Sequence, residues 1–228
     1  MIKNLEFPNS KNETIQGILK ERNTSGTLLI CGNGLNRGKD DPATDRITNI
    51  VYEMGQSSFS FDFSKSAQGF ALKEQVSDIL DIVSYFSRYK KIVLFAPSLG
   101  SLSMVIAAQQ LTKVNGLITM NGFFGSAQLG MRMLKVYLLF RLFVFFKKQY
   151  QKEWKYFKKN YQPQKIRGRV LVMHARYDTD VSLVQSKNFF QKLSGKKEFY
   201  LLEKADHQLT READRQETAE VVYRWLQE

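Results

Sequence analysis

A serine, an acid and a histidine, spread over the last 131 residues of a 228-residue chain, have the types and surroundings that acyl-transfer chemistry requires. Ser98 sits in Ala96-Pro-Ser-Leu-Gly100, between the apolar run Lys91-Ile-Val-Leu-Phe95 and the apolar periodic segment Leu99–Leu111. A strand, a sharp turn and a helix in that order lift a serine oxygen above the end of a sheet, and small residues two before and two after it let strand and helix pass closely. Ala96 stands where the pattern has its first glycine, and Pro97 favours an extended residue before it, as a strand end requires. Spacing alone leaves a second role open, since a serine here also caps a helix.

A nucleophilic serine needs a base, and the base needs an orienting acid. The chain has two histidines. His174 lies inside the apolar run Val170–His174, which suits packing near a sheet end. His207 follows a predicted strand, Glu198–Leu202, in the short stretch Glu203-Lys-Ala-Asp-His207 before the last helix, where it can reach over a sheet edge or stay solvated. The acid comes off a strand between serine and histidine. Asp178 is preferred, just past the strand Arg169–Met173. Asp180 lies nearer a helix N-cap position, and Asp206 is adjacent to His207, where neighbouring side chains rarely face each other. The resulting order Ser98, Asp178, His207 distinguishes one of the unrelated serine triads from the others. Developing negative charge on a carbonyl oxygen needs two N–H donors. Leu99, directly after the serine, supplies one. Asn33, in the glycine-rich Cys31-Gly-Asn-Gly34 after an earlier strand, supplies the other, unless that stretch is only a turn. No Gly-Lys-Ser/Thr follows it, so a phosphate-binding loop is excluded.

These residues need a scaffold, and the patterning predicts one. Ile2–Phe7 and Thr14–Lys20 read as a hairpin around a polar turn. From Thr27 onward strands and helices alternate: Thr27–Cys31, a helix opened by Asp41-Pro42, Phe59–Phe63, a helix over Leu72–Tyr89, Val114–Met120, a helix over Val181–Leu193 and one over Thr210–Leu226. Alternation of this kind implies an α/β domain, a mostly parallel sheet with helices on both faces and the hairpin at one edge. It is interrupted once, between Gly125 and Lys165. No repeat and no interdomain linker is visible, so residues 1–228 read as one domain.

With these residues placed, the chain resembles an α/β-hydrolase, of the branch containing compact esterases, monoacylglycerol lipases and serine aminopeptidase-like hydrolases. Leu28-Leu-Ile-Cys-Gly32 is similar to the family's strand ending in His-Gly, with Cys31 in place of the histidine. Ser60-Phe-Asp-Phe-Ser64 resembles its strand ending in Asp-Phe, although the following Lys65-Ser-Ala-Gln-Gly69 is poor in glycine. Met173-His-Ala-Arg-Tyr-Asp178 resembles the acid turn, with Ala175 for glycine, and Ala205-Asp-His207 the loop of the catalytic histidine. The resemblance implies the fold and the triad Ser98, Asp178 and His207, with no metal or organic cofactor.

Composition bounds the rest. A single cysteine, Cys31, excludes an internal disulfide and paired-cysteine zinc sites. No apolar run reaches the ~20 residues of a membrane span, and the start lacks a signal-peptide pattern, so a cytoplasmic location is expected. The formal net charge is +12. Residues 126–165 hold ten Lys or Arg against the single acid Glu153, together with ten of the aromatics. Within them Tyr150, Trp154, Phe157 and Tyr161 recur at 4, 3, 4, and Lys148, Lys152, Lys155 and Lys159 repeat the spacing about 200° around a helix.

The resemblance implies that this segment is a helical cap over the site. Its aromatic stripe, with Tyr150, Trp154 and Phe157, either packs on the body of the domain or lines a substrate pocket. Its lysines form either a solvated face or a docking face for anionic membrane or an anionic carrier. No recognition motif accompanies them, and nucleic acid is not an expected partner. The expectation is a serine hydrolase of small-molecule carboxylic esters with an apolar acyl group. A thioesterase or acyltransferase using the same triad, and a non-catalytic relative binding through its basic cap, are the alternatives.

Overall fold

A computed structural model describes residues 1–22, 26–34, 37–125 and 148–228, with the side chains of Gln149 and Tyr150 outside that set. Eight strands form one sheet: β1 (Ile2–Pro8), β2 (Thr14–Lys20), β3 (Thr27–Cys31), β4 (Ser57–Asp62), β5 (Lys91–Pro97), β6 (Val114–Met120), β7 (Arg169–Tyr177) and β8 (Lys197–Asp206), in the spatial order β1-β2-β4-β3-β5-β6-β7-β8. β1 pairs antiparallel with β2, and β2 antiparallel with β4. Every pairing from β4 to β8 is parallel. The predicted architecture is therefore the observed one, with the hairpin on one edge and β8 on the other.

A parallel sheet must be covered on both faces, and the period of two in its strands sorts the cover. Leu28 and Ile30 of β3, Ile92 and Leu94 of β5 and Val170 and Val172 of β7 point to one face. There they pack with α2 (Leu72–Tyr85), α3 (Ser101–Gln110), α4 (Lys148–Asn160) and α5 (Leu183–Lys192). Leu29 and Cys31, Val93 and Phe95, and Leu171 and Met173 point to the other, against α1 (Pro42–Glu53) and α6 (Glu212–Gln227). Asp41 caps α1, its carboxylate accepting the Thr44 N–H, and Pro42 takes the first helical position.

Several boundaries differ from the sequence reading, and β7 runs past Met173 to Tyr177. α2 stops at Tyr85, four residues early, because Phe86 and Tyr89 leave the helix in turns and still reach the core. Ser98–Gly100 form a 3-10 turn, so the helix after it starts at Ser101. β8 continues to Asp206, because pairing with β7 resumes beyond a register shift and aligns Tyr177 with Asp206. His207 thus leaves directly from a strand end, with no loop before it.

The first half of the predicted cap, residues 126–147, lies outside the described residues. The second half, α4, forms as its pattern requires. Lys152, Lys155, Lys158 and Lys159 are exposed, and Phe157 is buried on the opposite face. Trp154 stacks on Phe157 at 5.2 Å, and Tyr161 lies 4.7 Å from it. Glu153, 7% exposed, accepts the Lys73 N–H at 3.2 Å and so supplies the side-chain cap that Ala71 cannot give α2.

Candidate active site

Ser98 holds a left-handed backbone, φ +47°, on the turn between β5 and α3. That conformation costs a non-glycine residue about 1–2 kcal/mol, so its surroundings must impose it. They do so from both sides: the Ser98 carbonyl accepts the Phe123 N–H at 3.0 Å, and Ser101 Oγ donates to the Ala96 carbonyl at 2.9 Å. The turn aims Ser98 Oγ at His207 Nε2, 3.0 Å away. His207 Nδ1 lies 2.7 Å from Asp178 Oδ2, whose side chain is 1% exposed. A carboxylate accepts but cannot donate, so the imidazole proton sits on Nδ1 and Nε2 is left to accept from the serine hydroxyl.

Asp178 is held in turn. Its Oδ1 accepts the N–H groups of Asp180 and Val181, each at 2.8 Å. Asp180 thus contributes its main-chain N–H to holding the acid, while Asp178 is the carboxylate hydrogen-bonded to the histidine. Asp206 is committed to Thr210, accepting from its N–H at 3.0 Å and from its hydroxyl. His174, fully buried, is 2.8 Å from Ser186 Oγ and donates through Nε2 to the Val181 carbonyl at 3.2 Å. Burial, working against the Asp178 charge, holds its pKa below the ordinary imidazole value. It packs beneath the carboxylate rather than reaching the serine. For His207 burial again disfavours the charge. The Asp178 hydrogen bond and the charges of Asp178, Asp180 and Asp206 together outweigh it and raise the pKa.

The loop after β3 passes over this turn at close range. A methyl group on Gly100 would lie 2.3 Å from the Asn33 carbonyl oxygen, and one on Gly34 would lie 3.9 Å from Ser98 Oγ. The Asn33 side chain, 4% exposed, donates to the Phe61 carbonyl of β4 and pins the loop. Leu99 and Asn33, the two residues predicted to offer backbone N–H groups, thus flank the serine.

A cleft of about 540 Å³ opens beside Asn33, Leu99 and Gly100. Its walls come from β2 (Gln16), the end of β4 (Asp62, Phe63), the following loop (Lys65, Gln68) and α2 (Gln75). Gln75 holds that loop by donating to the Ala67 and Gly69 carbonyls at 3.2 and 2.8 Å. Arg37, at the mouth, donates to Gln208 Oε1 at 2.9 Å and pairs with Asp41 at 3.1 Å.

Among the described residues, Trp154 and Phe157 are not in these walls. Phe157 and Trp154 pack against the body of the domain, where a methyl group on Gly125 would touch both, and so anchor α4. The side chain of Tyr150 lies outside the described residues. Sequence reading also missed Gln16, Gln68 and Gln75, which approach from separate segments with no motif to join them. Among the described residues no helix is long and apolar enough to cross a membrane.

Neither a scan against protein-family models nor a search of curated proteins found a match. Solved structures do match. A putative hydrolase from Agrobacterium vitis S4 is 15% identical with a TM-score of 0.78, covering 100% of both chains. An esterase from Pyrococcus furiosus is 15% identical with a TM-score of 0.76, over 100% of this chain and 90% of that one. The esterase domain of a Rhodothermus marinus protein is 18% identical with a TM-score of 0.72, over 99% and 97%. At these identities the likeness is one of fold.

Proposed function

We propose that this chain, which has the α/β-hydrolase fold, is a serine hydrolase of carboxylic esters. The observation that carries the reading is the hydrogen-bonded series Ser98–His207–Asp178, with the serine on a left-handed turn at the carboxyl ends of parallel strands. Ser98 Oγ attacks the ester carbonyl while His207 Nε2 takes its proton. Asp178 keeps the imidazole in the required tautomer and stabilises the imidazolium. The oxyanion is met by the backbone N–H groups of Leu99 and Asn33. His207 then protonates the departing alcohol, leaving an acyl-enzyme on Ser98. Water, deprotonated by His207, attacks that acyl group and restores the serine. A thiol leaving group or an acceptor alcohol in place of water would use the same intermediate.

For the substrate, the cleft supports a more polar group than the apolar acyl chain expected from the sequence. Its side chains are carboxamides, Thr14, Asp62, Lys65 and Arg37, with Phe63 and Leu99 as the large apolar members. Polar walls favour a group that returns hydrogen bonds, because unpaired polar atoms are costly to cover. The portion of substrate held there is accordingly hydroxylated or carboxamide-bearing rather than a plain alkyl chain. The test is a set of chromogenic esters matched in size, one series alkyl and one hydroxylated, assayed with wild type and Ser98→Ala. The expected result is a higher kcat/KM for the hydroxylated series, and loss of both with Ser98→Ala. Preference for the alkyl series would refute the substrate class, and turnover surviving in Ser98→Ala would refute the nucleophile.

A further inference from the structure

The three residues of the proposed site come from three separate strand ends: Ser98 after β5, Asp178 after β7 and His207 after β8. Their side chains meet, yet a 3.0 Å contact between Ser98 and His207 also requires the strand ends themselves to be held in register. β6 lies between β5 and β7, and its continuation is Asn121-Gly122-Phe123.

Asn121 is 1% exposed and has a left-handed backbone, φ +51°. Its main-chain N–H donates to the Met173 carbonyl of β7 at 3.1 Å. Its side-chain Oδ1 accepts the Ala175 N–H at 2.7 Å. Ala175 opens the turn that carries the acid, since its carbonyl accepts the Asp178 N–H at 3.2 Å. The Nδ2 of the same carboxamide reaches past β7 and donates to the His207 carbonyl at 3.0 Å, with the Asp206 carbonyl at 3.5 Å. Two residues on, the Phe123 N–H donates to the Ser98 carbonyl at 3.0 Å. One three-residue turn therefore grips the backbone of the serine, of the histidine and of the segment leading to the acid.

A carboxamide suits this position for two reasons. It offers an acceptor and a donor at its two ends, which a carboxylate or hydroxyl does not offer together at that span. Asparagine also tolerates the left-handed conformation better than most residues. Gly122 must follow it, because a methyl group there would lie 2.7 Å from Ser101 Oγ and 2.4 Å from the Phe124 ring.

We infer that Asn121 is a positioning residue of the site, its carboxamide setting the separation of the His207 and Asp178 strand ends. This rests on the catalytic roles proposed for Ser98, His207 and Asp178. Asn121 is buried and touches substrate nowhere in the scheme. Its loss therefore alters the rate of acyl transfer and leaves ground-state binding in place.

The experiment compares wild type, Ser98→Ala, Asn121→Gly and Asn121→Asp. Glycine keeps the left-handed turn and removes only the carboxamide. Aspartate keeps the shape and the acceptor for Ala175 but loses the donor to His207. Three quantities are read: steady-state turnover of a soluble chromogenic ester, the rate of covalent labelling by a fluorophosphonate, and the downfield proton resonance of the His207 Nδ1–H shared with Asp178. For Asn121→Gly the expected result is a fall in kcat of about ten- to a hundredfold, the scale of an ångström-level misplacement. KM should stay within about twofold, labelling should slow in parallel, and the downfield proton should be lost or broadened.

Asn121→Asp is expected to be slow as well, and it decides the matter if the glycine variant does not fold. A folded Asn121→Gly or Asn121→Asp with wild-type kcat and an intact downfield proton would overturn the inference while the Ser98 reading stands. Wild type that neither labels nor loses turnover in Ser98→Ala would overturn both.

Discussion

Replacing Gly100 by alanine tests the geometry of the site through a single methyl group. The added Cβ would lie 2.3 Å from the Asn33 carbonyl oxygen and 3.1 Å from its carbon, where ordinary contact begins near 3.4 Å. The shortfall is about 1.1 Å, and both partners are backbone, so no side-chain rotation relieves it. Either the turn bearing Ser98 or the loop bearing Asn33 must move by that amount, and these are the two elements proposed to hold the oxyanion. An ångström of misplacement costs on the order of 10²-fold in rate, and forcing a methyl group into a packed site costs ~1–3 kcal/mol of stability.

Gly195→Ala is the matched control. Its nearest atoms are carbonyl oxygens at 3.9 Å and it needs no positive φ, so it should be neutral or slightly stabilising. The assay is kcat/KM on a soluble ester together with the urea midpoint of each variant. A Gly100→Ala enzyme with the rate and midpoint of wild type would refute the placement of the Asn33 loop against the serine turn.

Three other outcomes are expected. His207 acts as a base only when neutral, and its pKa is raised above the usual 6.5, so kcat/KM should rise with pH along a limb centred above 6.5; Asp178→Asn should move that limb to lower pH. By linkage, the same raised pKa adds folding stability that is complete below the unfolded value and is lost as pH climbs through the folded one, which urea titrations across that window would show; a limb at or below 6.5 would contradict both. Phe157→Ala should cost ~3–5 kcal/mol in urea unfolding, since the ring is 5% exposed, stacked on Trp154 and tilted against Tyr161, with KM on a soluble ester unchanged; a large KM effect with little loss of stability would place it in the substrate pocket. If the lysine face of α4 docks on an anionic surface, changing Lys152, Lys155 and Lys159 together to glutamine should weaken low-salt sedimentation with phosphatidylserine vesicles, at ~1 kcal/mol per lysine; unchanged sedimentation would leave that face merely solvated.

The sheet was readable because its strands are continuous apolar runs. Leu28–Cys31 and Ile92–Phe95 are buried on both faces, and only a parallel sheet with two helical covers buries them so. Ser98 was readable from its place between a strand and a helix, and His207 because the chain offers one other histidine, itself inside a strand. The end of β8 was not readable, since Glu203-Lys-Ala-Asp206 carries no apolar alternation and is held as strand by pairing with β7. The aromatic stripe of α4 has the same 4, 3, 4 spacing whether it faces a ligand or the core, and the tertiary contacts of Phe157 decide for the core. Asn121 left one trace, the turn-forming dipeptide Asn121-Gly122, which says nothing of the strand ends it joins. Of the cleft only the edge nearest the serine, Asn33 and Leu99, was legible, because Gln16, Lys65 and Gln75 meet only through long-range packing.

The central claim is that Ser98 is a nucleophile activated by His207. The most direct measurement is intact-mass and peptide mapping after exposure of the folded protein to a fluorophosphonate. The account predicts a single adduct on the peptide carrying Ser98, absent in Ser98→Ala and greatly slowed in His207→Ala. A folded wild-type protein that takes up no label, or takes it up on a residue other than Ser98, would contradict it.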